Sequence, residues 1–252
     1  MKAFIINLDS AHERKITMIA QCDRYGLDYQ ITEAVNGKAL PQEVISAVTA
    51  DYPTCALTRG EIGCTLSHLN IYSAVIREKL ECALILEDDA VITEEITQWL
   101  SAIEKSISRT RPEIYILSGI DAYNKWITKS ISDRLTCYRM INGSRSHGYI
   151  INKPAAEALI RTNLPVRFEA DRWPLFRDIC GVSVWCLEKE IIGTSDIDKN
   201  GSVLNSERIV YARQRGEHLR QLKKSYKGYQ LKRIKNVLVN KIGKREISPS
   251  SL

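Results

Sequence analysis

Residues 83–92 read ALILEDDAVI: four apolar residues run into Glu87-Asp88-Asp89, and apolar residues resume at once. Ending a buried strand in three adjacent carboxylates is a severe constraint, because like charges side by side push one another's pKa up unless something offsets them. A solvated turn with a helix cap meets the constraint, since Asp favours caps and turns. So does a ligand site. In open α/β sheets ligands bind just outside the carboxyl ends of strands. Hard oxygen ligands there suit Mg²⁺ or Mn²⁺, which keep waters and substrate phosphates in their shells.

The flanking pattern supports an α/β reading. KAFIINL (2–8) is a short β-branched run and predicts a first strand. A helix should follow, capped by Ser10 with Glu13 three residues on, carrying Ile16, Ile19 and Ala20 at helical spacing and closed by Gly26. A second strand is predicted at 28–32. Thr58 and Glu61 form a capping box for a helix over 58–80, with Ile62, Leu66, Leu69, Tyr72 and Ile76 as one apolar stripe. After the strand into EDD come a helix near 94–107, a strand at 113–119, strands at 135–141 and 147–152, a helix from Pro154 through Ile160 and a strand at 182–191. The first half thus alternates strand and helix, the pattern of a parallel, doubly wound sheet. Neither G-x-G-x-x-G nor a Walker-type phosphate loop occurs.

Charge and cysteine usage narrow the classes. The seven cysteines are an odd number without a C-x-x-C pair, which points to reduced, packed thiols rather than a disulfide framework or zinc site. No stretch approaches the ~20 apolar residues of a membrane span, and the N-terminus carries no leader-like run, so a cytoplasmic protein is expected. Residues 213–246 hold twelve Lys/Arg against two Glu, net +10, leaving −4 for the rest of a chain whose total is +6. That asymmetry suits a basic amphipathic segment on the anionic inner face of a membrane, or a solvated helix packed on its own domain. Nucleic-acid binding is disfavoured by an acidic body and the lack of a recognition motif.

Several segments in order resemble glycosyltransferase family 25, which includes bacterial lipooligosaccharide galactosyltransferases: FIINLDSAHERK, EAVNGKAL, GEIGCTLSHLNIY, LILEDDA, GYIINKPAAEALI, an Asp within FEADRWPLF, and NGS at 200–202. The resemblance implies a GT-A-type fold over residues 1–212, with a nucleotide-sugar half at 1–120, an acceptor half at 121–212, and the basic extension 213–252 beyond. It implies a divalent cation, Mn²⁺ or Mg²⁺, held at Asp89 and Glu87, with Glu87 also facing the nucleotide sugar or a metal-bound water and Asp88 counted with it among the donor-binding residues. The implied reaction is inverting transfer of a hexose, by resemblance galactose in β linkage, from UDP-galactose or a related UDP-hexose to a lipid-linked oligosaccharide acceptor.

An inverting transfer needs one base for the acceptor hydroxyl, a role a carboxylate can fill. Asp171 is the first candidate and Asp121 the reserve. Ser67 and His68 are expected near the donor sugar. Asn7 and Arg14 flank the first predicted strand-to-helix turn, where uridine and diphosphate contacts are expected, and Glu33 and Asn36 end the second predicted strand, where a ribose-binding group sits. His147 is expected to be structural. The competing enzyme class is a metal-dependent phosphohydrolase that turns the same carboxylates on water and sugar nucleotides.

Overall fold

The computed structural model describes residues 1–195 and 205–247; the NGS segment at 200–202 lies outside them. Along the chain run β1 (Lys2–Asn7), α1 (His12–Arg24), β2 (Asp28–Glu33), α2 (Gln42–Val48), α3 (Arg59–Arg77), β3 (Cys82–Glu87), β4 (Ala90–Ile92), α4 (Ile96–Ser106) and β5 (Glu113–Ile116). There follow β6 (Ala122–Ser130), β7 (Thr136–Asn142), β8 (Gly148–Asn152), α5 (Lys153–Asn163), α6 (Trp173–Cys180), β9 (Ser183–Cys186) and β10 (Ile192–Thr194). After the gap come α7 (Asn205–Ser225), α8 (Tyr229–Lys241) and β11 (Lys244–Glu246).

Nine strands form one sheet in the order β11-β6-β7-β9-β5-β8-β3-β1-β2. β1, β2 and β3 are mutually parallel, as the alternating pattern predicts. The doubly wound expectation stops there. β8 inserts between β3 and β5 and runs antiparallel to both, so the sheet is mixed. The cause is local. β8 is apolar on both faces, with its five residues all buried, and such a strand belongs in the middle of a covered sheet rather than at an edge.

Successive strand residues feed opposite cores. Phe4, Ile85, Ile116, Tyr149 and Ile151 pack under α3, α5 and α6. Ile5, Leu84, Leu86, Tyr115 and Ile150 pack under α1 and α4. α3 starts as its sequence predicts: the Thr58 side chain accepts from the Glu61 N–H, and Glu61 accepts from the Thr58 N–H. α1 does not. Its first residue follows Ala11 with no side-chain cap, and it buries Met18 and Cys22 while Ile16 stays 66% exposed. Asn7 takes over at this turn, its amide donating to the Ala11 carbonyl. Gly37 and Gly63 bring the EAVNGKAL loop against α3, where a Cβ on Gly63 would stand 2.4 Å from the Val35 oxygen. All seven cysteines are free thiols, and among the described residues no helix is long and apolar enough to cross a membrane.

The basic C-terminal segment is joined to this body. β11 adds to the sheet edge beside β6, and α8 packs on α6. Leu222, Tyr226 and Tyr229 face the core, whereas Leu231, Ile234 and Leu238 face outward. The anchor is Arg215. Its guanidinium bonds both Glu61 oxygens at 2.8 and 2.7 Å, Glu169 at 3.0 Å and the Ala56 carbonyl, all out of solvent. Removing one partner of a buried ion cluster leaves uncompensated charge, costing roughly 3–5 kcal/mol. Arg215→Ala should therefore lower the urea-unfolding free energy by about that amount, with a melting temperature depressed to match; an unchanged midpoint would show that the tail is not anchored through this residue.

Candidate active site

The carboxyl ends of β1, β2 and β3 share one sheet edge, and Asn7, Glu33 and Glu87 stand on it. Because β8 runs antiparallel to β3, the loop before it arrives at the same edge: Leu86 pairs with Gly148, and the Glu87 N–H donates to the His147 carbonyl. α3 crosses behind and presents His68. Two segments far apart in sequence thus meet the EDD turn.

Each of the three carboxylates has partners on different segments, which offsets their repulsion. Glu87 accepts from the Ser146 hydroxyl at 2.5 Å and stands 3.4 Å from His68 Nε2. Asp88 accepts from the Asn7 amide at 2.9 Å and from Arg14 at 3.2 Å. Asp89 accepts from the Thr194 hydroxyl at 2.9 Å, and its carbonyl accepts from the Ser195 N–H, which ties it to the β4–β10 ribbon.

Behind Glu87 lies a buried chain of rings. His68 Nδ1 is 2.8 Å from the Tyr149 hydroxyl, which is 2.6 Å from that of Tyr72. Tyr72 donating to Tyr149, and Tyr149 to Nδ1, leaves the proton of a neutral imidazole on Nε2, the nitrogen 3.4 Å from Glu87. Burial pushes the Glu87 carboxyl up, but His68, Ser146 and His147 more than offset it and hold it at about 2. Burial likewise raises Tyr149, with Tyr72 adding to it, so its proton stays in place.

Some predicted residues gather here and others do not. Ser67 is fully buried, accepting from the Val35 N–H and donating to the Gly63 carbonyl, so its hydroxyl binds the loop to its helix. Glu33 and Asn36 lie exposed along the same edge. Asp121 is exposed and accepts from the Asn142 amide. Asp171 is partly exposed on the turn before α6; two residues on, Trp173 packs against Tyr149 with ring centres 4.9 Å apart and donates to the Arg145 carbonyl. His147 is buried, with Nε2 3.3 Å from the Ile192 carbonyl. Ser146, Arg145, Tyr72 and Tyr149 were not singled out from sequence. The polar SRSH run ahead of a fully apolar strand is the signal that marks the first two.

Among the described residues, Cys64, His68 and Glu87 have ligand atoms within 4.8 Å of one another and are close enough to share an ion. That mixed sulfur, nitrogen and oxygen set differs from the all-oxygen shell that Mg²⁺ or Mn²⁺ favours. Asp88 and Asp89, partly exposed at the strand end, suit such a hard cation better, because one or two carboxylates suffice when substrate phosphates complete the shell.

The sequence profile of glycosyltransferase family 25 (LPS biosynthesis protein) matches residues 1–173. The chain belongs to glycosyltransferase family 25. Procollagen galactosyltransferase 2 of Homo sapiens is 27% identical over 170 residues, covering 64% of this chain and 27% of that protein. A glycosyltransferase 25 family member of Drosophila melanogaster is 38% identical over 96 residues, 35% of this chain and 16% of the relative. An inactive glycosyltransferase 25 family member 3 of Mus musculus is 25% identical over 114 residues, 42% of this chain and 19% of that one. The chain thus spans about a quarter or less of the length of these relatives. A solved structure, the inositol-1-phosphate CTP transferase from T. maritima, overlays 89% of this chain and 96% of its own at a TM-score of 0.34 and 12% identity.

The Glu87 pairing fixes a pH dependence. Its folded-state value lies below the ordinary 4.5, so the ionised carboxylate stabilises the fold above about 4.5, and that stabilisation drains away as pH falls toward about 2. Chemical unfolding followed across this window should lose less stability per pH unit in Glu87→Gln than in the parent chain; identical slopes would show that Glu87 is not held ionised by its neighbours.

Proposed function

We propose that this family 25 glycosyltransferase has a GT-A-type fold and is an inverting, divalent-metal-dependent enzyme that moves a hexose from a UDP-sugar to the oligosaccharide of a bacterial lipooligosaccharide. The observation that carries the reading is a strand-end carboxylate turn, in a family 25 chain, with Glu87 held ionised by His68, Ser146 and His147. The galactosyltransferase names of the relatives favour galactose as the hexose, and the family description favours a saccharide acceptor. The β linkage rests on the family resemblance.

A carboxylate takes the proton from the acceptor hydroxyl, whose oxygen attacks the anomeric carbon as the bond to the diphosphate breaks and UDP leaves. Asp171 is favoured as that base over Asp121, because its turn is joined through Trp173 and Tyr149 to the Glu87 chain. Arg14, which bonds Asp88 in the carboxylate turn, is suited to the departing diphosphate, a planar guanidinium being a fork for phosphate oxygens. A Mn²⁺ or Mg²⁺ bound at Asp89 and Asp88 would supply further charge to offset that leaving group. Asp89→Asn should lose transfer by at least about a hundredfold, the scale of losing one transition-state electrostatic partner, while its melting temperature stays near the parent's. Stabilisation of the parent by UDP should require Mn²⁺ and vanish in the variant. Near-normal transfer by Asp89→Asn would sink the metal assignment.

The outer face of α8 fits an anionic bilayer at the cytoplasmic surface. Leu231, Ile234 and Leu238 are 75, 56 and 61% exposed, Trp126 and Ile242 add 68 and 72%, and Arg233 and Lys241 flank them. Cations near such a surface contribute about 1 kcal/mol each. Replacing Leu231, Ile234 and Leu238 together by Gln should cut co-sedimentation with phosphatidylglycerol vesicles at least tenfold without lowering the melting temperature. Undiminished co-sedimentation would remove the membrane from the reading.

A further inference from the structure

The β7–β9 ladder is two pairs long, Tyr138↔Cys186 and Arg139↔Trp185. Around its last pair and the chain entering β9 there is a cavity of about 290 Å³, closed on one side by α8. Its β9 residues are the amino-terminal ones, so it lies away from the sheet edge that carries Glu87. None of the carboxylate-turn residues lines it.

The lining is strongly one-signed. Arg139, Arg177, Lys232 and Lys235 all face it, and no acidic residue does. The nearby carboxylate is Asp178, which pairs with Arg177 at 3.0 Å and accepts from the Asn236 amide at 2.5 Å. Arg139 is bonded to a neutral group, Asn236 Oδ1, at 2.5 Å. Among the described residues, no carboxylate comes within 4.0 Å of Arg139, Lys232 or Lys235, so one acid stands against four cations. The crowding registers on Arg139, which burial and then the neighbouring Arg177 push below its ordinary value.

These cations are positioned rather than scattered. Arg177 is fixed by donating to the Met140 carbonyl at 2.8 Å. Lys232, Lys235 and Asn236 are spaced i, i+3 and i+4 and so share one face of α8. The remaining walls include Ile127, Val184 and Trp185. At about 30 Å³ per water, the space holds roughly ten waters, more than a monatomic anion needs. Two guanidinium groups and two ammonium groups match the many oxygens and multiple charge of phosphate.

We propose that this cavity is an anion site, separate from the carboxylate turn, that binds a phosphoryl or diphosphoryl group. The group can come from a soluble phosphate compound or from the headgroup of a phospholipid, since the apolar outer stripe of α8 lies beside the lysines that line the cavity. The site stands on its own residues and does not depend on the transferase reading.

The test is calorimetric titration of the full chain with inorganic pyrophosphate at low salt, in parent, Lys232→Gln/Lys235→Gln, Arg139→Gln and Asp89→Asn forms. Both lysines are exposed, so the double variant should keep the parent melting temperature. Saturable binding that weakens at least tenfold in the double lysine variant and in Arg139→Gln, and persists in Asp89→Asn, supports the site. Three outcomes overturn it: no saturable binding at millimolar pyrophosphate, equal affinity in the double lysine variant, or loss confined to Asp89→Asn, which would put the anion at the carboxylate turn. A second arm identifies the source. If pyrophosphate displaces the parent, but not the double variant, from phosphatidic acid vesicles, the cavity takes a lipid headgroup; pyrophosphate binding without any cavity-dependent vesicle contact makes the ligand a soluble phosphate.

Discussion

The fork between Arg215 and Glu61 holds the two ends of the described structure together. Glu61 also caps the first turn of α3, so one carboxylate fixes both where that helix begins and where the basic tail docks. Four residues further along than Cys64, and two turns from Glu61, α3 delivers His68 to the carboxylate turn. A shift at the cap would therefore be felt at Glu87. The cluster is dry, and breaking such a cluster costs far more than an exposed pair is worth. That gives the tail a structural duty beyond its charge.

The same economy of partners explains the acidic triplet. Three adjacent carboxylates are tolerated because five separate segments answer them: α3 and the loop before β8 for Glu87, β1 and α1 for Asp88, and β10 for Asp89. Only the mixed sheet makes this possible. A purely parallel arrangement would have placed another strand's carboxyl end beside β3. The antiparallel β8 instead brings its amino-terminal approach there, with Ser146 and the His147 carbonyl.

Charge in the C-terminal segment divides by face. Arg215 is consumed in the buried cluster, Lys232 and Lys235 line the cavity, and Leu231, Ile234 and Leu238 look outward between further cations. A single net charge of +10 thus conceals three environments, each with its own chemistry. The break at Tyr226–Gly228 resets the helical phase between α7 and α8, so inner and outer apolar positions do not follow one periodicity across both helices.

The sequence alone determined the elements whose signals are local. These are the β-branched first strand, the capping box of α3, the apolar strand into EDD, and the ordered segments that mark family 25. Each depends on residues a few positions apart. What only tertiary structure decided depends on long-range pairing: the insertion of β8, the burial of Met18 and Cys22 rather than Ile16, and the engagement of Ser67 within its own helix and loop. The Tyr72–Tyr149–His68–Glu87 chain belongs there too, since it joins residues up to 81 apart in sequence. Spacing along a chain records a helix face or strand alternation, because those periods are set by the backbone. It does not record which strand lies beside which, and the partners of His68 and Glu87 follow from that choice.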